Sequence, residues 1–232
     1  MNEALILQQT ADYVKAEFSG DSSGHDWWHI YRVWKTAISI CEREGGRLFV
    51  VQLAALLHDL DDWKLHPATS SAPERAMAWM RKLVVDEPVL DEVREIIVRL
   101  SYKGAGVPDE MPGLEGQIVQ DADRLDAIGA VGIARAFAYG GHKDRALYDP
   151  AEAPDLHQNF EQYKNNQSST INHFYEKLLL LRERINTRTA RQIADQRHAF
   201  MEAYLAQFMR EWEGSDLESD RADGGRAPNI IG

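Results

Sequence analysis

The sequence predicts an all-α fold, and three of its features lead there. Apolar residues recur at three- and four-residue intervals through most of the chain, the spacing of helices with one buried face. No segment shows a convincing strand-length alternation of apolar and polar residues. Gly- and Pro-rich breaks separate long helical patterns, and no internal repeat is visible.

The elements follow in order. Ala4, Leu5, Leu7 and Ala11 open a first helix that continues to Phe18. Gly20 to Gly24 (GDSSG) is a turn. It matches the G-x-S-x-G pattern of a hydrolase nucleophile elbow, but that motif needs a buried strand before it, and a polar helix end stands there instead. Trp27, Trp28, Ile30, Tyr31, Val33, Trp34, Ala37 and Ile38 mark a thick helix that stops before Gly45-Gly46, its aromatic cluster expected mostly in the core. Phe49 to Leu60 is apolar almost all round and reads as the central helix. Ser71 can cap the next helix, with Pro73 in its first turn and Glu74 at its positive end. Pro88 begins another, through Leu100, and loop signals fill Lys103 to Gly113. A single helix is expected from Leu114 to Tyr139, where Gly129 and Gly132 cost stability unless close packing needs them. Residues 140–168 have the polar, Pro-punctuated pattern of a surface loop or lid. Two helices follow, over 169–186 and 188–213. Residues 1–213 are therefore expected to form one domain, and 214–232 a disordered tail.

Composition narrows the function. With 26 Lys and Arg against 37 Asp and Glu, the chain carries a formal charge of −11, which weighs against a dedicated nucleic-acid binder. A small anionic substrate stays open, because local charge in a pocket matters more than the total. Cys41 is the lone cysteine, so neither an intramolecular disulfide nor a zinc site on a Cys-x-x-Cys pair can form. No Lys or Arg precedes Lys15, unlike the basic start of a signal peptide, and no apolar run approaches the ~20 residues of a membrane span. The expectation is a cytoplasmic protein with no membrane contact.

Three segments place metal-ligand side chains on apolar helices. GHDWWHIYRVW carries His25 and His29 four residues apart, hence on one helical face. LAALLHDLDDWK interrupts the most apolar helix with His58-Asp59. QDADRLDAIGAVGIAR puts Asp121, Asp123 and Asp126 into another core helix. Singly, each has a plain explanation as a core histidine, a helix cap or an Arg partner. Together they need a common one, since a buried carboxylate without a partner costs several kcal/mol or more. Mixed imidazole and carboxylate donors suit one divalent ion: Mn, Mg, Co, Ni, Fe or Zn, with Mn²⁺ favoured because carboxylates shift the choice toward harder ions.

At these residues the sequence resembles the HD superfamily of metal-dependent phosphohydrolases, named for a His-Asp doublet seen here as His58-Asp59. The family pattern of an early His, the doublet and a distant Asp is matched in order by His29, His58, Asp59 and Asp123. Asp123 is preferred among the three aspartates because Ala122-Asp123-Arg124-Leu125 matches the context of the family's last ligand. Across residues 3 to 212, including DADRLDAIGAVGIARAF and HFYEKL, the chain is most similar to small bacterial HD hydrolases of the YedJ/YpgQ type.

The resemblance implies a compact helical domain with one divalent ion between its core helices. It also implies cleavage of nucleoside triphosphates, deoxynucleotides favoured, to monophosphate and pyrophosphate. An HD-type phosphomonoesterase or nucleotidase and a (p)ppGpp-type hydrolase are the enzymatic alternatives; a metal-stabilised ligand-sensing module is the non-enzymatic one. Asp62, four residues after His58, is assigned as the proton acceptor, with Asp61 turned about 100° away if the helix continues. Lys64 and Lys177 are the first choices for phosphate contacts, followed by Arg124, His25, His173 and Lys103. Asp26 and Asp126 are expected to orient neighbours of the site, and Tyr102 and Tyr148 to stack on a base. The partner implied is a nucleotide; homodimers are common in such enzymes.

Overall fold

A computed structural model describes residues 2–19, 26–61, 73–100, 105–108, 110–156, 162 and 167–217. These residues are helical, with no strand among them: α1 (Glu3–Glu17), α2 (Trp27–Glu44), α3 (Leu48–Leu57), α4 (Glu74–Lys82), α5 (Glu87–Leu100), α6 (Leu114–Asp126), α7 (Gly129–His142), α8 (Thr170–Glu176) and α9 (Arg188–Glu213). Short 3-10 segments cover Leu178–Arg184 and Ser215–Leu217. No described helix is long and apolar enough to cross a membrane.

The apolar helix α3 sits at the centre, with Val50, Val51 and Leu53 to Leu57 all buried. It packs against α1, α2, α5 and α6, and α2 packs in turn along α6. Polar side chains set where the surrounding helices start. Asn2 accepts from the Ala4 amide at 3.0 Å, Asp26 from His29 at 3.0 Å and Thr187 from Ala190 at 3.3 Å. At the far end of α9, Gly214 takes the left-handed conformation that closes a helix.

α4 is held differently from the sequence expectation. Asp61, beyond the end of α3, accepts from the amides of Arg75 at 3.2 Å and Ala76 at 3.1 Å, so a distant carboxylate serves this helix start. Ser71, the expected cap, lies outside the described residues. Asp121 acts similarly on α9. Fully buried, it accepts from the Asn186 amide at 2.8 Å, the Thr187 amide at 2.7 Å and the Thr187 hydroxyl at 2.8 Å, pinning the start of α9 to α6. Burial pushes its pKa above the ordinary carboxylate value despite these donors.

Four expectations are corrected. The helix expected from Leu114 to Tyr139 is two, α6 and α7, parted at an extended Ile128 and a positive-φ Gly129 (φ 76°). Gly132 is required there, because a Cβ would lie 2.2 Å from the Ala127 carbonyl oxygen. α3 stops at Leu57 instead of Leu60, leaving His58 to Asp61 in a turn. The helix expected over 169–186 ends at Glu176, where Lys177 leaves helical geometry (φ −140°). The 3-10 turn that follows stacks Leu178 and Leu181 on one side, and both are buried. The polar stretch after Tyr139 is partly helical, since α7 runs to His142, and its next residues are tied down. The amides of Thr170 and Ile171 donate to the carbonyls of Ala146 and Leu147, and Asn172 Nδ2 donates to Glu152.

Gly132→Ala is expected to lower stability by roughly 1–3 kcal/mol, the usual range for a forced core insertion. A urea or thermal melt of the variant measures it; an unchanged midpoint contradicts the close-approach reading.

Candidate metal centre

The mutual packing of α2, α3 and α6 brings three stretches of the chain to one point. His29 enters in the first turn of α2, its backbone amide bonded to the Asp26 cap. His58 and Asp59 follow the last turn of α3, and Asp123 and Asp126 lie in the last turn of α6. His29, His58 and Asp59 are buried, and ligand atoms from the three lie within 4.8 Å of one another. His29 Nε2 is 3.2 Å from Asp59 Oδ2 and 3.3 Å from His58 Nε2, which is itself 3.3 Å from Asp59 Oδ1. Asp123 Oδ1 stands on the remaining side, 3.6 Å from His29 Nε2 and 4.0 Å from His58 Nε2. Its side chain, about one-third exposed (34%), forms the solvent side of the cluster.

Hydrogen bonds on the outer ring nitrogens decide what the inner ones offer. His29 Nδ1 donates to Asp126 Oδ2 at 2.7 Å, and His58 Nδ1 donates to the Ala55 carbonyl at 2.9 Å. In the neutral rings this leaves both Nε2 lone pairs aimed inward, toward each other and two carboxylates. Four acceptors facing one point are stable only around a cation or a shared proton, and this donor set fits a divalent metal. Histidine ligands whose other nitrogen is anchored to a carboxylate or carbonyl are the usual arrangement at such sites.

Asp126 is the outer support. Besides His29, it accepts from Arg32 Nε at 2.6 Å, Arg32 Nη2 at 3.0 Å and Arg135 Nη1 at 2.8 Å. Burial alone raises a carboxyl pKa, but His29 and the two guanidinium groups hold Asp126 well below the usual carboxylate range. At His29, burial and Arg135 disfavour the imidazolium, yet the bonds and charges of Asp126 and Asp59 outweigh them and raise its pKa above the ordinary 6.5. Arg135 was not foreseen from the sequence. Its role depends on the α6–α7 corner, which returns α7 against α6.

The remaining candidates divide. Arg124 is buried, and its Nη1 donates to the Arg184 carbonyl, joining α6 to the segment before α9. His173 and Lys177 are half-buried on α8 and at its C-terminal cap. Tyr148 packs edge-on against Trp212 at a centroid distance of 5.1 Å and against Phe208 at 6.1 Å, a contact with α9. The α2 aromatic cluster divides: Trp27 and Trp34 pack half-buried against the core, whereas Trp28 is 58% and Tyr31 37% exposed, and Tyr31 contacts all three tryptophans. Asp62, Lys64, His25, Lys103 and Tyr102 lie outside the described residues. Asp61 is committed to α4.

Two outcomes follow for metal binding. Asp126→Asn removes the charge that holds His29 and replaces one of two acceptor oxygens with a donor, and is expected to weaken divalent-ion affinity roughly 10–100-fold, read by calorimetric titration. Because a metal needs the Nε2 lone pair of a ring that holds its proton above pH 6.5, affinity is expected to fall as pH drops through the raised His29 pKa, with proton release on binding. Affinity independent of pH between 6 and 8 contradicts that ligand.

Known proteins place this geometry. The family model described as "HD domain" matches residues 27–128, the span from α2 through the end of α6. YpgQ of Bacillus subtilis (strain 168) is 38% identical over 220 residues, 94% of this chain and 100% of that protein. A crystal structure of YpgQ in complex with ADP superposes with a TM-score of 0.72 at 37% identity, covering 91% of this chain and 97% of that one. A Lactobacillus plantarum protein gives a TM-score of 0.83 at 37% identity, over 92% of this chain and 99% of that one. An HD-superfamily hydrolase from Bacillus thuringiensis is 42% identical, with a TM-score of 0.71, over 91% of this chain and 99% of that one. With such identity spread over nearly its whole length, and with the HD model falling on the helices that bring His29, His58 and Asp59 together, this chain belongs to the HD superfamily of metal-dependent phosphohydrolases.

Proposed function

We propose that the protein is a nucleoside triphosphate pyrophosphohydrolase that releases a nucleoside monophosphate and pyrophosphate. The observation that carries the reading is the convergence of two inward-facing imidazole nitrogens and two carboxylates at a partly open point. A nucleotide substrate is supported by the relative YpgQ, which was crystallised with ADP.

His29, His58, Asp59 and Asp123 hold the ion, with Mn²⁺ the favoured species. When bound, the ion supplies Lewis acidity, offsetting negative charge on the phosphate and lowering the pKa of water. Asp126 keeps the His29 ring in the tautomer that offers Nε2 inward, and the Ala55 carbonyl does the same for His58. Asp62 takes the proton from the attacking water. The new bond forms at the α-phosphorus, the bridging bond to the β-phosphate breaks, and pyrophosphate leaves with the electron pair. Lys64 and Lys177, with His25, His173 and Lys103, neutralise the phosphates. Arg124, turned to the Arg184 carbonyl, is left out of this set.

Product analysis tests the reading. Metal-stripped protein resupplied with Mn²⁺ and given a panel of ribo- and deoxynucleoside triphosphates is expected to yield monophosphate and pyrophosphate. His58→Ala is expected to abolish turnover. Free phosphate or nucleoside as product replaces the reading with a phosphatase. Asp62→Asn is expected to keep metal affinity while losing turnover by about 10²–10⁴-fold, the usual contribution of a proton-transfer group; normal turnover removes Asp62 from the mechanism.

A further inference from the structure

Away from the metal centre, α2 and α9 enclose a cleft of about 270 Å³ whose polar lining is Lys35, Thr36, Ser39, Arg43, Thr189 and Arg197. On an α-helix with a 1.5 Å rise, Lys35 to Arg43 lie about 9–21 Å beyond His29 along the α2 axis, and only Arg197, at the Leu125 carbonyl, borders the support of the metal centre. The cleft concentrates three cations on a chain whose formal charge is −11.

Several basic side chains elsewhere on this protein are matched to carboxylates. Arg32 and Arg135 pair with Asp126, Arg47 with Glu92 and Glu115, Arg75 with Glu17, Arg99 with Glu95 and Arg182 with Asp195. Among the described residues, no ion pair joins Lys35, Arg43 or Arg197 to a carboxylate. The nearby carboxylate Glu44 accepts from the Thr189 amide at the start of α9 and is committed there.

Arg197 is the informative member. It is half-buried, and burial disfavours its charge, opposed only by the field of Asp126. Its Nη1 donates to the Leu125 carbonyl, and its aliphatic stem packs on the bare face of Gly129. The guanidinium is thereby held at the cleft by backbone contacts, in the absence of a charge partner. Ile40 and Ile193 complete the lining with apolar surface that strengthens electrostatics beside it.

We propose that this cleft is an anion site for a phosphate-class oxyanion, distinct from the metal centre. A tetrahedral oxyanion carries several acceptors and more than one negative charge, which suits three cations and three hydroxyl side chains better than a single carboxylate does. The volume lies below the 300–1,000 Å³ typical of pockets that engulf drug-sized ligands, so the site takes a phosphate or pyrophosphate group and not a whole nucleoside triphosphate. Free pyrophosphate and the phosphate of a nucleoside monophosphate share this chemistry.

Calorimetric titration of each into the full-length His58→Ala protein tests the site with the metal centre disabled. Saturable one-to-one binding is expected, weakened at least tenfold by adding Lys35→Glu and Arg43→Glu, two exposed positions whose change leaves the helical circular dichroism intact. A milder Lys35→Gln, Arg43→Gln pair is expected to weaken it by less. Tighter binding of pyrophosphate identifies the free anion as the occupant, and tighter binding of the monophosphate identifies a nucleotide. No saturable binding, or binding unchanged by both variant pairs, overturns the proposal.

Discussion

The Asp126 carboxylate, buried where α2, α6 and α7 meet, is the constraint from which the metal centre takes its form. A carboxylate withdrawn from water needs opposite charge and donors, and Asp126 has both in Arg32, Arg135 and the His29 ring. Its partners come from two other helices. Arg32 and His29 share one side of α2, three residues apart, and Arg135 reaches in from α7. Satisfying one charge therefore ties two neighbouring helices to α6 and sets the orientation of an imidazole in the cluster. The stability of the corner and the geometry of the site depend on the same four side chains.

The same economy appears at the other aspartates. Asp121 spends its acceptors on the start of α9 and Asp61 spends its on the start of α4, so neither is free to serve as a ligand. Asp59 and Asp123 instead face two histidine nitrogens that have no proton to give in their neutral form. Chemistry is thus assigned by what each carboxylate faces, although all of them stand on or beside apolar helices. The aspartates that stabilise helix ends make the fold rigid, and Asp59 and Asp123 turn toward the two imidazole rings.

α3 explains how such a cluster is kept in place. From Val50 to Leu57 all its side chains but Gln52 are buried, so it has no freedom to rotate without disturbing four neighbouring helices. The helix stops one residue before His58, and the turn that follows delivers His58 and Asp59 to the inner ends of α2 and α6. Farther along α2, the cations of the α9 cleft show the reverse situation, positive charge held in place without an ion-paired carboxylate among the described residues. One helix thereby borders a cation-seeking cluster and an anion-seeking cleft, separated along its axis.

The sequence alone determined the helical class, the places where α1, α2 and α9 begin and end, and the candidate residues His29, His58 and Asp59 that the fold brings together, because these depend on local spacing, caps and residue order. His29, His58 and Asp59 were legible because polar side chains stood out against apolar helices, whereas Asp123 was singled out from Asp121 and Asp126 only by the family resemblance. Tertiary structure decided what local signals do not encode. The break at Ile128-Gly129 depends on how closely α7 folds back onto the Ala127 carbonyl, a contact no helical periodicity registers. The shortened α3, the capping work of Asp61 and the attachment of Tyr148 to Trp212 likewise arise from groups that meet only after folding. Arg135 and Arg197 were silent for the same physical reason: an exposed arginine and one aimed at a buried carboxylate or into a cleft read alike until their surroundings are assembled.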